Sequence, residues 1–156
     1  MTGLEIERKW LVSEPPAAAL AVAGEEIDQG YLAIAADGTE VRLRRRDRRC
    51  FLTVKSPGGL VRGEREVDIS TDQFAELWPA TEGRRVEKVR RVLDAGDGIR
   101  IELDVYRGAL IGLIVAEVEF ADAGAANNFE APAWFGREVT GEAPYKNQRL
   151  AVSGLP

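Results

Sequence analysis

Charged residues recur in this chain at intervals of two. Glu5, Glu7 and Lys9 begin the pattern, around Ile6 and Arg8. Arg42, Arg44 and Arg46 follow, alternating with Leu43 and Arg45, and Lys55 lies two places after Thr53. Then come Glu64 and Glu66, Lys88 and Arg90, the run Arg100, Glu102 and Asp104, and finally Glu117 and Glu119. On an extended strand, residues two apart point to the same side. Each set would therefore line one face of its strand, with mostly aliphatic residues on the other. The pairs are also sorted by sign from one segment to the next. Rows of Arg and Lys suit phosphate oxygens, and rows of carboxylates suit a hard divalent cation. Phosphoryl transfer needs both.

A second reading of the same parity is a solvated face, because an antiparallel sheet often carries its charges on a wet side. Three features favour the site. The charges share a single side, they are sorted by strand, and antiparallel strands of similar length can close so that one face converges. On that side stand the cations Lys9, Arg42, Arg44, Arg46, Lys55, Lys88, Arg90, Arg100 and Lys146. With them stand the anions Glu5, Glu7, Glu64, Glu66, Glu102, Asp104, Glu117 and Glu119. Neither set can be buried alone, since an unpaired buried ion costs several kcal/mol. Together they nearly neutralise, leaving a wet lumen suited to a polyanion and bridging cations.

The chain holds no histidine. Imidazole is thereby excluded as base, phosphoryl acceptor or ligand. Any metal would be held mostly by oxygen, which favours Mg²⁺, Mn²⁺ or Ca²⁺ over Zn²⁺.

The elements that must position these residues can be read from period and turn signals. Strands are expected over 3–12, 26–35, 39–46, 50–56, 60–69, 85–94, 99–106 and 109–120. Asp37-Gly38, Asp47-Arg48-Arg49, Pro57-Gly58-Gly59 and Ala95-Gly96-Asp97-Gly98 supply the turns between them. Ser70-Thr71-Asp72 can cap a helix at 71–79. An alanine-rich stretch at 121–133 is expected to be partly helical, and a final helix is expected at 143–152, with Pro144 in its first turn. Short connections imply antiparallel neighbours. The expected fold is α+β, dominated by an eight-stranded antiparallel closed barrel with outer helices.

At 156 residues, 45% hydrophobic and 30% charged, residues 1–156 suit one domain. The net charge of −5 argues against a nucleic-acid partner, despite the basic run from Arg44 to Arg49. Cys50 is the only cysteine, so no intrachain disulfide forms, and it reads as a small buried hydrophobe rather than a nucleophile. No stretch approaches the roughly 20 apolar residues that span a bilayer, and Glu5 interrupts any leader-like start. The reading is a cytoplasmic protein with no membrane partner.

The ordered series resembles the CYTH superfamily, the triphosphate tunnel metalloenzymes. Glu5-Ile6-Glu7-Arg8-Lys9 is similar to that family's ExExK signature. Tyr31-Leu32, Arg42-x-Arg44, Lys55, Glu64-x-Glu66, Lys88-x-Arg90, Glu102-x-Asp104, Glu117-x-Glu119 and Tyr145-Lys146-Asn147 follow in the family's order, across the whole chain. The resemblance implies an eight-stranded tunnel holding a metal-dependent triphosphate site, with a plug helix closing one mouth. It also implies hydrolysis of a triphosphate, with inorganic triphosphate favoured for a small bacterial member. Some relatives are adenylate cyclases, and others act on thiamine triphosphate, nucleotides or RNA ends.

Under this resemblance Glu5, Glu7, Glu117 and Glu119 are the main metal-site carboxylates, for one or two ions of Mg²⁺ or Mn²⁺. Glu64, Glu66 and Asp104 are second choices, and Glu102 balances arginines. Lys9, Arg42, Arg44, Lys55, Lys88 and Arg90 would bind the phosphate chain. The catalytic set is Glu5, Glu7, Lys9, Lys88, Arg90, Glu117 and Glu119. Arg46 and Arg100 read as structural. Lys146 reads as a substrate contact on the plug helix or a surface lysine, and Tyr31 as a substrate contact or an outward packing aromatic. Trp10, Trp78 and Trp134 read as packing outside the barrel. A non-catalytic module for polyphosphate or nucleotide is the remaining alternative, and the assembly is left open between monomer and homodimer.

Overall fold

A computed structural model of the chain describes residues 6–57 and 63–156. The metal-site candidate Glu5 lies outside the described residues. Eight strands form: β1 (Ile6–Leu11), β2 (Glu25–Ile34), β3 (Glu40–Arg46), β4 (Arg49–Lys55), β5 (Glu64–Ile69), β6 (Arg85–Asp94), β7 (Arg100–Arg107) and β8 (Ile114–Phe120). They make one antiparallel sheet in the order β1-β8-β7-β6-β2-β3-β4-β5. The fold is thus α+β and mostly strand. Its ladder is that of an open sheet. Among the described residues no pairing joins the end strands β1 and β5, so the closed ladder expected from strand length is not formed by these hydrogen bonds.

Among the described residues the register places the alternating charges on one face. Glu7 pairs with Glu119 and Lys9 with Glu117. Glu102 faces Glu117, and Asp104 faces Arg90. Tyr31 and Gln29 face Arg42 and Arg44, while Thr53 stands between Arg42 and Glu66. Directly opposed residues share a side of the sheet, so these pairings, with Ile27 opposite Lys88 joining β2 to β6, chain all eight strands into one surface.

The other face is apolar and covered. Helix α1 (Ala17–Leu20) and helix α3 (Ala123–Asn128) lie over Trp10, Leu103, Ala116, Val118 and Phe120. Helix α2 (Thr71–Leu77) starts at a capping box, in which Ser70 accepts from the Gln73 amide and the Gln73 side chain accepts from Ser70 N–H. It sets Phe74 over Leu43 and Cys50, with Trp78 stacked on Phe74 at 5.0 Å. Cys50 is buried there, as its reading required. Trp10 and Trp134 join a ring cluster with Phe129 and Phe135.

Three boundaries differ most from the sequence reading. Residues 108–110 form a 3-10 turn and β8 begins only at Ile114, because Gly108 and Gly112 take positive φ and break the extension. The 121–133 segment is helical only to Asn128, since Phe129 is extended and joins the ring cluster. The last helix, α4, runs Asn147–Ser153, with a separate 3-10 turn at Ala143–Tyr145 and an extended Lys146 between them.

Two further contacts shape the site. The segment 136–140 covers the free edge of β1, through Leu11 N–H to Arg137 O at 2.9 Å and Val139 N–H to Lys9 O at 2.8 Å. At one end the charged face turns apolar, and Leu150 and Ala151 of α4 pack there on Tyr31, Val86, Tyr106 and Val115. Among the described residues no helix is long and apolar enough to cross a membrane.

Gly30 has a packing reason between the two site residues of β2. A Cβ there would lie 2.5 Å from Thr81 Oγ1, on the 3-10 turn Trp78–Thr81 that presses on the outer face. Thr81 is fully buried and its hydroxyl is hydrogen-bonded to Trp78 O and Arg85, so it cannot yield cheaply. Gly30→Ala should cost about 2 kcal/mol of stability through overpacking. A urea unfolding curve unchanged from the wild type would show that Thr81 gives way.

Candidate active site

The charged face has two walls of different character. On the first, β6 and β7 hold a closed ion network. Asp104 is 1% exposed. Its carboxylate accepts from Lys88 Nζ at 2.7 Å, Arg90 Nε at 2.7 Å and Arg90 Nη2 at 2.8 Å. Arg90 Nη1 also meets Glu102 Oε2 at 2.9 Å. Burial alone would raise the Asp104 carboxyl. The two cations outweigh it and hold it well below the usual carboxylate range. Burial pushes the Lys88 ammonium down, and Asp104 opposes that shift. Lys88 Nζ also sits 5.3 Å from the Tyr106 ring centre, and Tyr106 donates to Asn147 Oδ1 at 2.8 Å. The start of α4 is thereby tied to the wall.

On the second wall, β3 and β4 present cations with few anionic partners. Arg42 is 5% exposed, yet among the described residues its Nε has no hydrogen-bond partner, and its Nη2 lies 3.9 Å from Glu64 Oε1. Burial lowers the Arg44 guanidinium to about 10, aided by the like charges of Arg42, Arg90 and Arg46. Burial and Arg42 lower Lys55 as well. Arg44 Nε donates to Gln29 Oε1 at 2.9 Å, and Gln29 Nε2 donates to Tyr31 Oη at 2.8 Å. Burial, then the nearby Glu40, push the Tyr31 phenol up to about 12. Tyr31 is therefore a neutral hydroxyl on the charged face, not an outward packing aromatic.

Beyond β7, at the edge of the sheet, β8 and β1 bring Glu7, Lys9, Glu117 and Glu119 onto opposed positions. Lys9 Nζ lies 3.9 Å from Glu117 Oε2 and donates to Tyr145 O at 3.2 Å. Burial pushes the Glu117 carboxyl up. A hydrogen bond with Glu7 and the charges of Lys9, Lys88 and Arg90 outweigh it, so the net shift is downward. Glu7 and Glu119 are directly opposed, and Glu117 lies two residues from Glu119 on the same side of β8, so three carboxylates share this part of the face. Every candidate donor is oxygen, which suits a hard divalent ion. Among the described residues no three carboxylates group tightly enough to cage an ion unaided.

The sequence candidates thus sort by position. Arg46 pairs with Glu25 at 2.8 Å, as a structural arginine would. Glu66 accepts from Thr53 at 2.7 Å. Arg8 donates to Ala126 O at the end of α3 and pairs with Glu138. Lys146 is exposed and serves as the N-cap residue of α4 rather than lying within it. Gln29, Glu40, Thr53, Tyr106 and Asn147 were not among the candidates, although Gln29, Glu40 and Thr53 are all buried. The signal that finds the strand residues among them is the same parity, extended to neutral residues and to Glu40. Gln29 lies two from Tyr31, Thr53 two from Lys55, Tyr106 two from Asp104 and Glu40 two from Arg42.

The CYTH domain family model matches residues 3–149. An inorganic triphosphatase of Nitrosomonas europaea is 49% identical over 149 residues, covering 96% of this chain and 97% of that protein. An inorganic triphosphatase of Acetivibrio thermocellus is 36% identical over 150 residues, covering 95% of this chain and 93% of that protein. A crystal structure of an inorganic triphosphatase matches with a TM-score of 0.81 and 45% identity, covering 97% of each chain.

Proposed function

The chain belongs to the CYTH domain family, and we propose that it is a divalent-metal-dependent triphosphatase that cleaves a phosphoanhydride bond of inorganic triphosphate. The observation that carries this reading is the second wall. Among the described residues Arg42 is buried with an orphan Nε, beside Arg44 and Lys55, where desolvation and like charge outweigh the nearby Glu40 and Glu64 and lower both Arg44 and Lys55. A polyanion supplies what that wall lacks. Triphosphate carries roughly four to five negative charges near neutrality, because its terminal phosphates titrate near pH 6. The choice of inorganic triphosphate is supported by the two relatives of that name, which match nearly end to end.

In this reading Arg42, Arg44 and Lys55 grip the phosphate chain, with the Tyr31 hydroxyl beside them. Lys9, Lys88 and Arg90 face it from β1 and β6. Guanidinium forks suit paired phosphate oxygens and ammonium groups act as point charges. Asp104 acts here as a positioning residue, because its oxygens are engaged by Lys88 and Arg90. That moves it out of the metal set. Glu7, Glu117 and Glu119, with Glu5, would hold one or two ions, and Glu64 reaches the same lumen from β5. Mg²⁺ or Mn²⁺ bound there supplies Lewis-acid stabilisation and a more acidic attacking water. The protein's own part is to fix the phosphate chain, orient the scissile bond and hold the cations rigid. Lys146 would meet substrate only at the mouth.

We further propose that β1 and β5 curve toward each other as the two sides of a tunnel, with α4 stopping one end. We also propose a cytoplasmic location without a nucleic-acid or membrane partner, a reading supported by the net charge of −5 and the single cysteine. A panel tests the reading: purified protein with Mg²⁺ or Mn²⁺ is given inorganic triphosphate, thiamine triphosphate or ATP. Pyrophosphate and phosphate should appear fastest from inorganic triphosphate. Cyclic nucleotide from ATP would make it a cyclase instead, and no turnover on any of the three would make it a binding module.

A further inference from the structure

Gln29 lies mid-strand in β2 and is fully buried between the two walls of the charged face. Its carboxamide makes two hydrogen bonds whose directions are fixed by chemistry. Arg44 Nε carries a proton and cannot accept, so the 2.9 Å contact ends on Gln29 Oε1. Gln29 Nε2 is therefore the group that meets Tyr31 Oη, at 2.8 Å, and it must donate. The Tyr31 oxygen accepts that bond, so its own proton is directed elsewhere. Among the described residues it donates to no protein acceptor. Glu40 reaches it only through its field. Arg42, directly opposite Tyr31 on β3, offers only donors. Arg44 is constrained in the same way: with Nε spent on Gln29, both terminal amino groups remain for a ligand.

Flipping the carboxamide would set an N–H against an N–H at Arg44, so the arrangement has one stable sense. We propose that Gln29 is a positioning residue that presets the Tyr31 hydroxyl as a donor and the Arg44 fork as a paired donor toward the same phosphoryl group. This rests on the triphosphatase reading above. The advantage is preorganisation: donors already aimed at developing charge need no rearrangement when it appears.

Gln29→Glu keeps the volume and the acceptor for Arg44 but removes the donor, so Tyr31 turns its proton inward onto the new carboxylate. Gln29→Met removes both bonds without adding charge. Each variant, Tyr31→Phe, and the two double variants are assayed for kcat and KM on inorganic triphosphate. Binding of inorganic triphosphate is measured separately in chelator, and thermal melts check folding. Each single variant should lose about 10- to 100-fold in kcat/KM, the range for one hydrogen bond to a charged group. Adding Tyr31→Phe to either Gln29 variant should then cost less than about 3-fold more, and triphosphate binding in chelator should weaken in parallel. Losses that multiply in the double variants, or a Gln29→Met enzyme within about 3-fold of wild type, would overturn the proposal while leaving the triphosphatase reading intact. If Gln29→Met does not fold, Gln29→Glu carries the same comparison. A wild-type protein that neither binds nor cleaves triphosphate would overturn both.

Discussion

Asp104→Asn should lower the stability of the protein by about 3–5 kcal/mol, the cost of removing one partner from a buried ion network. For a chain of this size that is a fall of roughly 10 °C in the melting midpoint. The reason is local. Lys88 and Asp104 are each 1% exposed, and Asp104 is the carboxylate between Lys88 and Arg90. The amide would leave Lys88 charged without an anion in a desolvated place, or neutral and unable to serve phosphate. The effect also has a pH signature. The folded Asp104 carboxyl is held well below its unfolded value near 4. Its contribution is therefore complete above about pH 5 and is lost as the pH falls through 4 toward the folded value. Urea unfolding of wild type and variant should differ most at pH 6–7 and converge in acid. A gap below about 1 kcal/mol at neutral pH would show that Lys88 and Arg90 find other partners.

Glu117→Gln should leave the fold nearly intact and lower turnover on inorganic triphosphate by at least about 100-fold. Disturbing even the groups around a metal's ligands typically costs 10- to 100-fold, and here a proposed ligand itself loses its charge. Stability should change little, because the contact of Glu117 with Lys9 is long, at 3.9 Å. The amide cannot replace a carboxylate in holding a hard cation. Phosphate release as a function of Mn²⁺ concentration, beside a thermal melt, separates the two effects. Near-normal turnover with an unchanged metal requirement would remove Glu117 from the metal site.

Much of this arrangement could be read from strand parity. Glu7 and Lys9, Arg42 and Arg44, Lys88 and Arg90, and Glu117 and Glu119 all fall on one face because alternation alone fixes the side of a strand. The strand expected over 85–94 is β6, and the turn signal Ala95-Gly96-Asp97-Gly98 that follows it joins it to β7. Alternation does not say which cation meets which anion. That depends on register, and register gives Asp104 to Lys88 and Arg90 while giving Arg42, among the described residues, only the long 3.9 Å approach of Glu64. Parity counted over charges alone also passed over Gln29 and Thr53, which are neutral and fully buried. The late start of β8 depended on glycine conformations at 108 and 112, and the short α3 on where Phe129 packs, neither of which a local pattern encodes. Edge pairing between β1 and β5 is a property of sheet curvature, set by the sum of many small twists rather than by any one residue.

The central claim is that the charged face binds triphosphate and cuts it with the help of a divalent cation. It is tested most directly by following inorganic triphosphate with the wild-type protein by ³¹P NMR, with Mg²⁺ or Mn²⁺ and then with excess chelator. With metal, the triphosphate resonances should disappear as pyrophosphate and phosphate grow in equal amounts, and chelator should stop the reaction. Triphosphate that remains intact with either metal, or that is cleaved equally well in chelator, would contradict the account.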